Sequence, residues 1–251
     1  MSYTIAVAGK GGSGKTTLCA LTLYHLLKTG KTPVLAVDAD PNANLNEALG
    51  VTFDKTVVST VDRFMDGKEQ MPAGVPRDRY LEYQVQDAIV EASGYDLLVM
   101  GHTEGPGCYC HANDMLKAYL EKLVVNYPYI VMDNEAGMEH VSRRTTHDVD
   151  VLLIAANPTS VALRSAKRIY EMATQLSVVI GKAYLVINDL NRTAESVPEI
   201  MIEEMGLPLL GSVPYDEAVI RRSIDGTPLT ELPEDSPAVV SVAKMMATLG
   251  L

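Results

Sequence analysis

Residues 9–16 are Gly9-Lys10-Gly11-Gly12-Ser13-Gly14-Lys15-Thr16. This run fits the pattern Gly-x4-Gly-Lys-[Ser/Thr] of a phosphate-binding loop. A buried strand is predicted before it, over Tyr3–Ala8, and a helix is predicted after it, over Thr17–Leu27. Glycines let backbone N–H groups surround a phosphate, and the N-terminal end of the helix adds a partial positive charge. The stretch therefore predicts a nucleoside triphosphate site built on a strand, a loop and a helix.

The side chains at the end of the loop suit a magnesium nucleotide. Lys15 supplies a positive charge to the β- and γ-phosphates, and the Thr16 hydroxyl is placed to ligate Mg2+. Thr17, at the start of the predicted helix, completes the predicted nucleotide-binding stretch.

The rest of the chain alternates short apolar runs with helical patterns. Further strands are predicted over Thr32–Val37, Tyr95–Met100, Tyr129–Met132, Val149–Ala155, Ala183–Ile187 and Leu209–Val213. Further helices are predicted over His111–Val125, Val161–Leu176, Val197–Met205 and Ala238–Leu249, and a Pro- and Gly-rich loop over Gly67–Arg79. The alternation predicts an α/β fold of the P-loop NTPase type, with a mostly parallel sheet and helices on both faces.

Composition limits the possible classes of protein. The chain has 251 residues, of which 47% are hydrophobic, and this predicts one domain over residues 1–251. Its net charge of -11 opposes binding to nucleic acid, because that affinity comes largely from Lys and Arg neutralising phosphates. No apolar run is long enough to span a membrane, and Met1 leads almost directly into the first strand. We therefore expect a cytoplasmic protein without a nucleic acid or membrane partner.

Two acidic segments follow predicted strands. Asp38-Ala39-Asp40 comes after one strand, and Asp133-Asn134-Glu135-Ala136-Gly137 comes after another. Carboxylates at the carboxyl ends of parallel strands can hold Mg2+ or orient an attacking water, and a glycine lets a backbone N–H approach the γ-phosphate. Either segment alone could also be ordinary turn chemistry. Beside a complete phosphate loop, the catalytic interpretation is favoured.

Recognition of the base is indicated more weakly. Asn188, at the end of a predicted strand, has an amide that could read the donor and acceptor edge of adenine, although turn chemistry is the alternative. The segment Asn188-Asp189-Leu190-Asn191 lacks the lysine and aspartate of the guanine motif Asn-Lys-x-Asp. ATP is therefore favoured over GTP.

Cys108-Tyr109-Cys110 lies in a Gly- and Pro-rich stretch and suits a soft or borderline metal ion such as Ni2+, Zn2+ or iron. One pair supplies two sulfur ligands, whereas two pairs meeting at a dimer axis would supply four. A labile disulfide and two unliganded thiols are the alternatives. His102 and His111 flank the motif and could join the ligands. Cys19, within the first predicted helix, is expected to be a core residue.

The run Gly-Lys-Gly-Gly-x-Gly-Lys-Thr, with its second lysine Lys10, resembles the deviant phosphate loop of a family of dimeric ATPases. That family includes the nitrogenase iron protein, septum-site and partition ATPases, and metallocluster carriers. The resemblance implies a nitrogenase iron protein-like fold. It also implies a homodimer in which Lys10 crosses to the partner's nucleotide, as an arginine finger does.

The same resemblance assigns roles to both acidic segments, which match the first and second switches of the family. It implies that Asp40 positions the hydrolytic water, with Lys10 and Lys15 as the other catalytic residues. Asp38 and Asp133 would lie in the Mg2+ shell with Thr16, and Gly137 would sense the γ-phosphate. Pro214-Tyr215-Asp216 resembles the second base-contacting loop of the family.

The usual second switch of this family has Thr-x-Ala-Gly after the aspartate, where this chain has Asn134-Glu135-Ala136-Gly137. The roles of Asn134 and Glu135 therefore stay open. Together with Val37-Asp38-Ala39-Asp40-Pro41 and the Cys-x-Cys pair, this segment is similar to CooC-type accessory ATPases.

That similarity implies ATP, ADP and Mg2+ as ligands, Ni2+ or Zn2+ at a dimer-bridging Cys108 and Cys110 site, and a nickel enzyme as client, either carbon monoxide dehydrogenase or acetyl-CoA synthase. The alternatives are an ATP-dependent iron-sulfur reductase or cluster carrier, and a positioning ATPase of the MinD or ParA kind. The segment Val239–Leu251 has a single lysine, which disfavours a membrane-anchored positioning ATPase.

Overall fold

The structure is a computed structural model, and it describes residues 2–67, 71–101, 119–134, 149–175, 179–189 and 206–251. The strands are β1 (Tyr3–Gly9), β2 (Val34–Asp38), β3 (Ile89–Glu91), β4 (Tyr95–Val99), β5 (Tyr129–Asp133), β6 (Val149–Ala156), β7 (Ile180–Asn188) and β8 (Leu209–Val213). The helices are α1 (Lys15–Lys28), α2 (Leu45–Leu49), α3 (Val57–Met65), α4 (Arg77–Gln86), α5 (Ser160–Ala173), α6 (Glu217–Asp225) and α7 (Pro237–Thr248). Residues 119–124 are also helical.

The strands form one sheet in the order β3-β4-β2-β5-β1-β6-β7-β8. Each neighbouring pair is parallel except β3 and β4, which are antiparallel. β1, which leads into the phosphate loop, lies between β5 and β6. The predicted α/β fold with a mostly parallel sheet is confirmed.

Alternate residues of the central strands pack on opposite faces of the sheet. Ile5 and Val7 of β1 join the core that includes α1 and α7, whereas Ala6 and Ala8 join the core that includes α3 and α5. A strand that is covered on both faces needs apolar side chains at every position. This explains why β1 reads as a continuous apolar run.

Register brings the two acidic strand ends together. Asp133 of β5 lies level with Asp38 of β2 on one side and with Val7 of β1 on the other. Gly9, at the end of β1, is level with Ala155 of β6. The phosphate loop and both acidic segments therefore start from one edge of the sheet, as expected for ligand sites of open parallel sheets.

Some elements differ from those predicted. The structure adds α2, α3, β3 and α6, and α4 begins at Arg77, inside the predicted loop Gly67–Arg79. The buried side chains of α4 are Leu81 and Val85, too few to produce a clear apolar period. α5 ends at Ala173, before the predicted Leu176, and the predicted helix over Val197–Met205 lies outside the described residues.

Within the described residues, no helix combines the length and the apolar character that crossing a bilayer requires.

Candidate functional site

The phosphate loop turns sharply between β1 and α1. Gly12 and Gly14 have φ values of 76° and 83°, in the left-handed region that glycine enters without a Cβ penalty. The Ser13 N–H donates to the Lys10 carbonyl at 3.0 Å, which closes the turn. Lys15, the first residue of α1, is buried, whereas Lys10 is exposed. The loop thus turns one lysine inward beside the helix N-terminus and the other outward.

The close approach of Asn188 is a second structural requirement for glycine at position 14. The Asn188 Nδ2 donates to the Ser13 carbonyl at 2.9 Å, and it stands so close that a Cβ on residue 14 would lie 1.6 Å from it. Asn188 is 4% exposed. The end of β7 therefore supports the loop directly.

Gly14→Ala is expected to lower ATP affinity at least about tenfold, because the positive φ alone costs about 1–2 kcal/mol and the clash with Asn188 adds to it. Calorimetric titration with a non-hydrolysable ATP analogue measures this change. Gly30→Ala is the matched control, since Gly30 has a φ of 72° but no atom within 4 Å of an added Cβ. If Gly14→Ala binds the analogue with unchanged affinity, the support of the loop by Asn188 is unimportant.

Thr16, Asp133 and Asp38 form a cluster of oxygen atoms below the loop. The Thr16 hydroxyl donates to Asp133 Oδ2 at 2.6 Å. Asp38 accepts from the backbone N–H of Leu45 at 2.8 Å and of Asp40 at 3.1 Å. Both carboxylates are almost fully buried. The predicted magnesium ligands are therefore brought to one place by three separate segments.

The cluster fits a hard divalent cation. Asp133 Oδ1 is buried and finds no hydrogen-bond donor among the described residues. Those residues also contain no group of three or more His, Cys, Asp and Glu side chains suited to a metal. Mg2+ characteristically uses one or two carboxylates together with phosphate oxygens and water. Asp133, Asp38 and the Thr16 hydroxyl would supply the protein's share of such a shell.

Burial sets the protonation of these carboxyls. Loss of hydration raises the pKa of Asp133 to about 7, although the Thr16 hydroxyl bond opposes the shift. Loss of hydration likewise raises the pKa of Asp38 to about 6, against the hydrogen bonds from Leu45 and Asp40. Burial of a carboxylate favours its neutral form, and the positive charge of Lys15 offsets only part of this effect on Asp133. A positive charge placed beside these two carboxyls would favour their ionised forms.

Asp40 lies beyond this cluster and is partly exposed. Its Oδ1 accepts from both the backbone N–H and the side-chain amide of Asn42, each at 3.0 Å. These two bonds fix the carboxylate in the turn that follows β2. Positioning of the hydrolytic water by Asp40 stays a prediction.

The segment predicted to contact the base has a clear structural role. Asp216 is buried and accepts from the Ala218 N–H at 2.9 Å, from the Ala238 N–H at 3.1 Å and from the Ser236 hydroxyl. One carboxylate thereby caps α6 and ties it to α7. The carboxylate of Asp216 is therefore engaged in hydrogen bonds within the protein. Base contacts by Asn188 and this segment stay predictions.

Several predicted site residues lie outside the described residues. They are Cys108, Cys110 and Gly137, with the flanking residues His102, His111 and Glu135. Cys19 is buried in α1, and burial raises the pKa of its thiol, as suits a core residue. No sequence pattern indicated Asn157. Its side-chain amide donates to the Asn188 carbonyl at 3.4 Å. An asparagine after a strand is too common a turn signal to have singled it out.

Comparison with known proteins agrees with this geometry. The family described as the CobQ/CobB/MinD/ParA nucleotide binding domain matches residues 4–229. An uncharacterised ATP-binding protein of Methanocaldococcus jannaschii is 38% identical over 243 residues, 96% of each chain. The carbon monoxide dehydrogenase accessory protein CooC of Rhodospirillum rubrum is 30% identical over 226 residues, which cover 86% of this chain and 84% of that protein.

Solved structures share the fold. The septum site-determining protein MinD of Pyrococcus horikoshii, in complex with Mg-ADP, superposes with a TM-score of 0.73 over 99% of this chain and 96% of its own. The two sequences are 21% identical, so this similarity concerns the fold alone.

Proposed function

This chain belongs to the CobQ/CobB/MinD/ParA nucleotide-binding family, and we propose that within it the chain is an ATP-driven, dimerising carrier that delivers nickel to a maturing carbon monoxide dehydrogenase or acetyl-CoA synthase. ATP hydrolysis is the activity of its family. Nickel delivery, the cytoplasmic location and the single domain over residues 1–251 are part of the proposal.

The observation that carries the proposal is the Cys108-Tyr109-Cys110 pair in a chain related to an accessory protein of carbon monoxide dehydrogenase. Two thiolates one residue apart are too few for a closed tetrahedral site, which needs four ligands. A two-fold dimer would complete the set from both subunits. Nickel is the cargo in this scheme, and the nucleotide decides when the two pairs meet.

Different residues of the described part of the chain would contact the phosphates, the metal ion and the attacking water. Lys15 and the loop N–H groups bind phosphate oxygens, and the helix dipole of α1 adds to their attraction. Mg2+ held by Thr16, Asp38 and Asp133 would neutralise phosphate charge as the γ-phosphoryl group departs. Asp40, in the partly exposed turn after β2, would orient the water that attacks the γ-phosphate.

Lys10, the exposed lysine of the phosphate loop, would stabilise the closed dimer. In a closed dimer, Lys10 of each subunit would contact the γ-phosphate held by the other, so ATP favours the closed state and hydrolysis weakens it. Because such coupling is reciprocal, nickel held between the subunits should itself favour dimerisation and raise nucleotide affinity.

The Cys108→Ser/Cys110→Ser double variant is expected to lose nickel binding completely, from one ion per dimer to none, since serine hydroxyls are poor ligands for a soft site. Anaerobic nickel titration with and without a non-hydrolysable ATP analogue, followed by size-exclusion chromatography, measures stoichiometry and dimerisation together. Cys19→Ala is the matched control, because that thiol is buried in α1. Unchanged nickel stoichiometry in the double variant would contradict the proposed site.

The same four sulfurs could instead hold an iron-sulfur cluster, which is the second candidate. An absorption spectrum of anaerobically purified protein separates the two, because a cluster gives strong sulfur-to-iron charge-transfer bands and Ni2+ or Zn2+ alone does not give the iron bands.

A further inference from the structure

Asn134, the residue after Asp133, is completely buried at the end of β5. Its backbone N–H donates to the Val7 carbonyl of β1 at 3.0 Å, and its side-chain Nδ2 donates to the same oxygen at 3.1 Å. Nδ2 also donates to the Met132 carbonyl at 3.3 Å. The asparagine therefore fastens the start of the second acidic segment to the strand that carries the phosphate loop.

The other side-chain atom of Asn134 has no partner. Because both neighbours of the amino group are carbonyl oxygens, the atom that faces them must be nitrogen, which leaves Oδ1 turned away from them. Oδ1 is buried and receives no hydrogen bond from any described residue. A buried acceptor without a donor destabilises the folded state. A buried polar group without a partner calls for an explanation, and a partner that arrives with a ligand is one.

The place of Asn134 in the sheet relates it to the nucleotide. Asp133 is level with Val7 and with Asp38, so Asn134 lies one step further along, beside Ala8 and Ala39. Those alanines precede Gly9 of the loop and Asp40 of the first acidic segment. The residue is therefore placed between the phosphate loop and the predicted water-orienting carboxylate.

Chemistry limits what the missing donor can be. Phosphate oxygens and carboxylates accept hydrogen bonds and, when ionised, donate none. A water molecule next to the γ-phosphate is a donor that the reaction itself requires. The Thr16 hydroxyl donates directly to Asp133, so the first turn of α1 lies against the end of β5, next to Asn134.

We propose that Asn134 is a positioning residue for ATP hydrolysis: Nδ2 fixes the end of β5 to β1, and Oδ1 accepts a hydrogen bond from a water molecule held beside the γ-phosphate. The bond forms with ATP and not with ADP, so it favours the triphosphate-bound arrangement. The inference rests on ATP hydrolysis and is independent of nickel delivery, so a chain that binds no nickel would leave it standing.

The test compares Asn134→Ala and Asn134→Thr with the wild-type protein. Asn134→Ala should lower kcat about tenfold and abolish the extra thermal stabilisation that a non-hydrolysable ATP analogue gives over ADP. ADP affinity should stay within about threefold, because ADP brings no γ-phosphate water. Asn134→Thr, which restores one hydroxyl donor and acceptor, should recover part of both effects.

Asn46→Ala is the matched control for loss of an asparagine, because Asn46 is partly exposed but its side-chain oxygen is buried. Asn46 Nδ2 donates to the Val51 carbonyl at 3.3 Å and its Oδ1 is likewise without a partner among the described residues, but it lies on α2 and not at a strand end. The proposal is wrong if Asn134→Ala keeps its kcat, if ADP affinity falls as far as that of the ATP analogue, or if Asn46→Ala shows the same loss.

Discussion

Replacing Lys10 with alanine is expected to lower the rate of ATP hydrolysis about 1,000-fold, the scale seen when a charge supplied in trans is removed from a phosphoryl-transfer site. Lys10 is exposed at the turn of the loop and pairs with no carboxylate among the described residues. Lys15 is buried at the α1 N-terminus, and in the proposed scheme it binds the nucleotide of its own chain. ATP binding to the monomer should therefore survive the substitution, while ATP-dependent dimerisation is lost.

Light scattering with and without a non-hydrolysable ATP analogue, combined with single-turnover hydrolysis, measures both effects. Lys244→Ala is the matched control, because Lys244 is another exposed lysine and lies on α7. A Lys10→Ala protein that dimerises with the analogue as the wild type does would overturn the role in trans.

Asp133→Asn is expected to change stability and activity in opposite directions. The pKa of Asp133 is raised from 3.8 to about 7, so the folded chain holds a proton that the unfolded chain has already released. By linkage, the free energy of unfolding falls as pH rises between these values and is lowest above the folded pKa. A neutral amide removes that cost, so the metal-free variant should gain on the order of a few kcal/mol at pH 8 and little near pH 4.

The same substitution should lower magnesium-dependent ATP hydrolysis about 100-fold, because an amide oxygen replaces an ionised oxygen ligand. Denaturant unfolding in EDTA at several pH values, with hydrolysis assays at saturating Mg2+, gives the two halves of the result. Asp225→Asn, at the exposed end of α6, is the control. Equal stability of the variant and the wild type at pH 8 would show that Asp133 carries no such cost.

Higher stability together with lower activity is the result expected when a buried carboxylate that binds the metal is replaced by a neutral amide. Asp38→Asn should also raise the free energy of unfolding, but the gain should develop at lower pH. The pKa of Asp38 is raised only to about 6, because two backbone hydrogen bonds favour its charged form. We therefore expect the burial of these two carboxylates to lower stability at neutral pH, and a bound cation to restore it.

Much of the fold could be predicted from local patterns. The strands that end at Asp38 and Asp133 are apolar at nearly all their other positions, because the sheet is covered on both faces. The short α2, the polar α4 and the three-residue β3 were missed, since few of their side chains are buried and tertiary contacts decide their conformation.

The sequence by itself determined the phosphate loop, because that motif is a short-range property: glycines for the turn, a lysine for the phosphates and a threonine at the first turn of a helix. It also placed aspartates at strand ends. Only the tertiary structure decided that Asp133 meets Thr16 across 117 residues, that Asn188 supports Ser13 across 175 residues and that Asn134 has an oxygen without a partner. These properties depend on strand order and on exclusion of water, which arise when distant segments pack together and which no local pattern encodes.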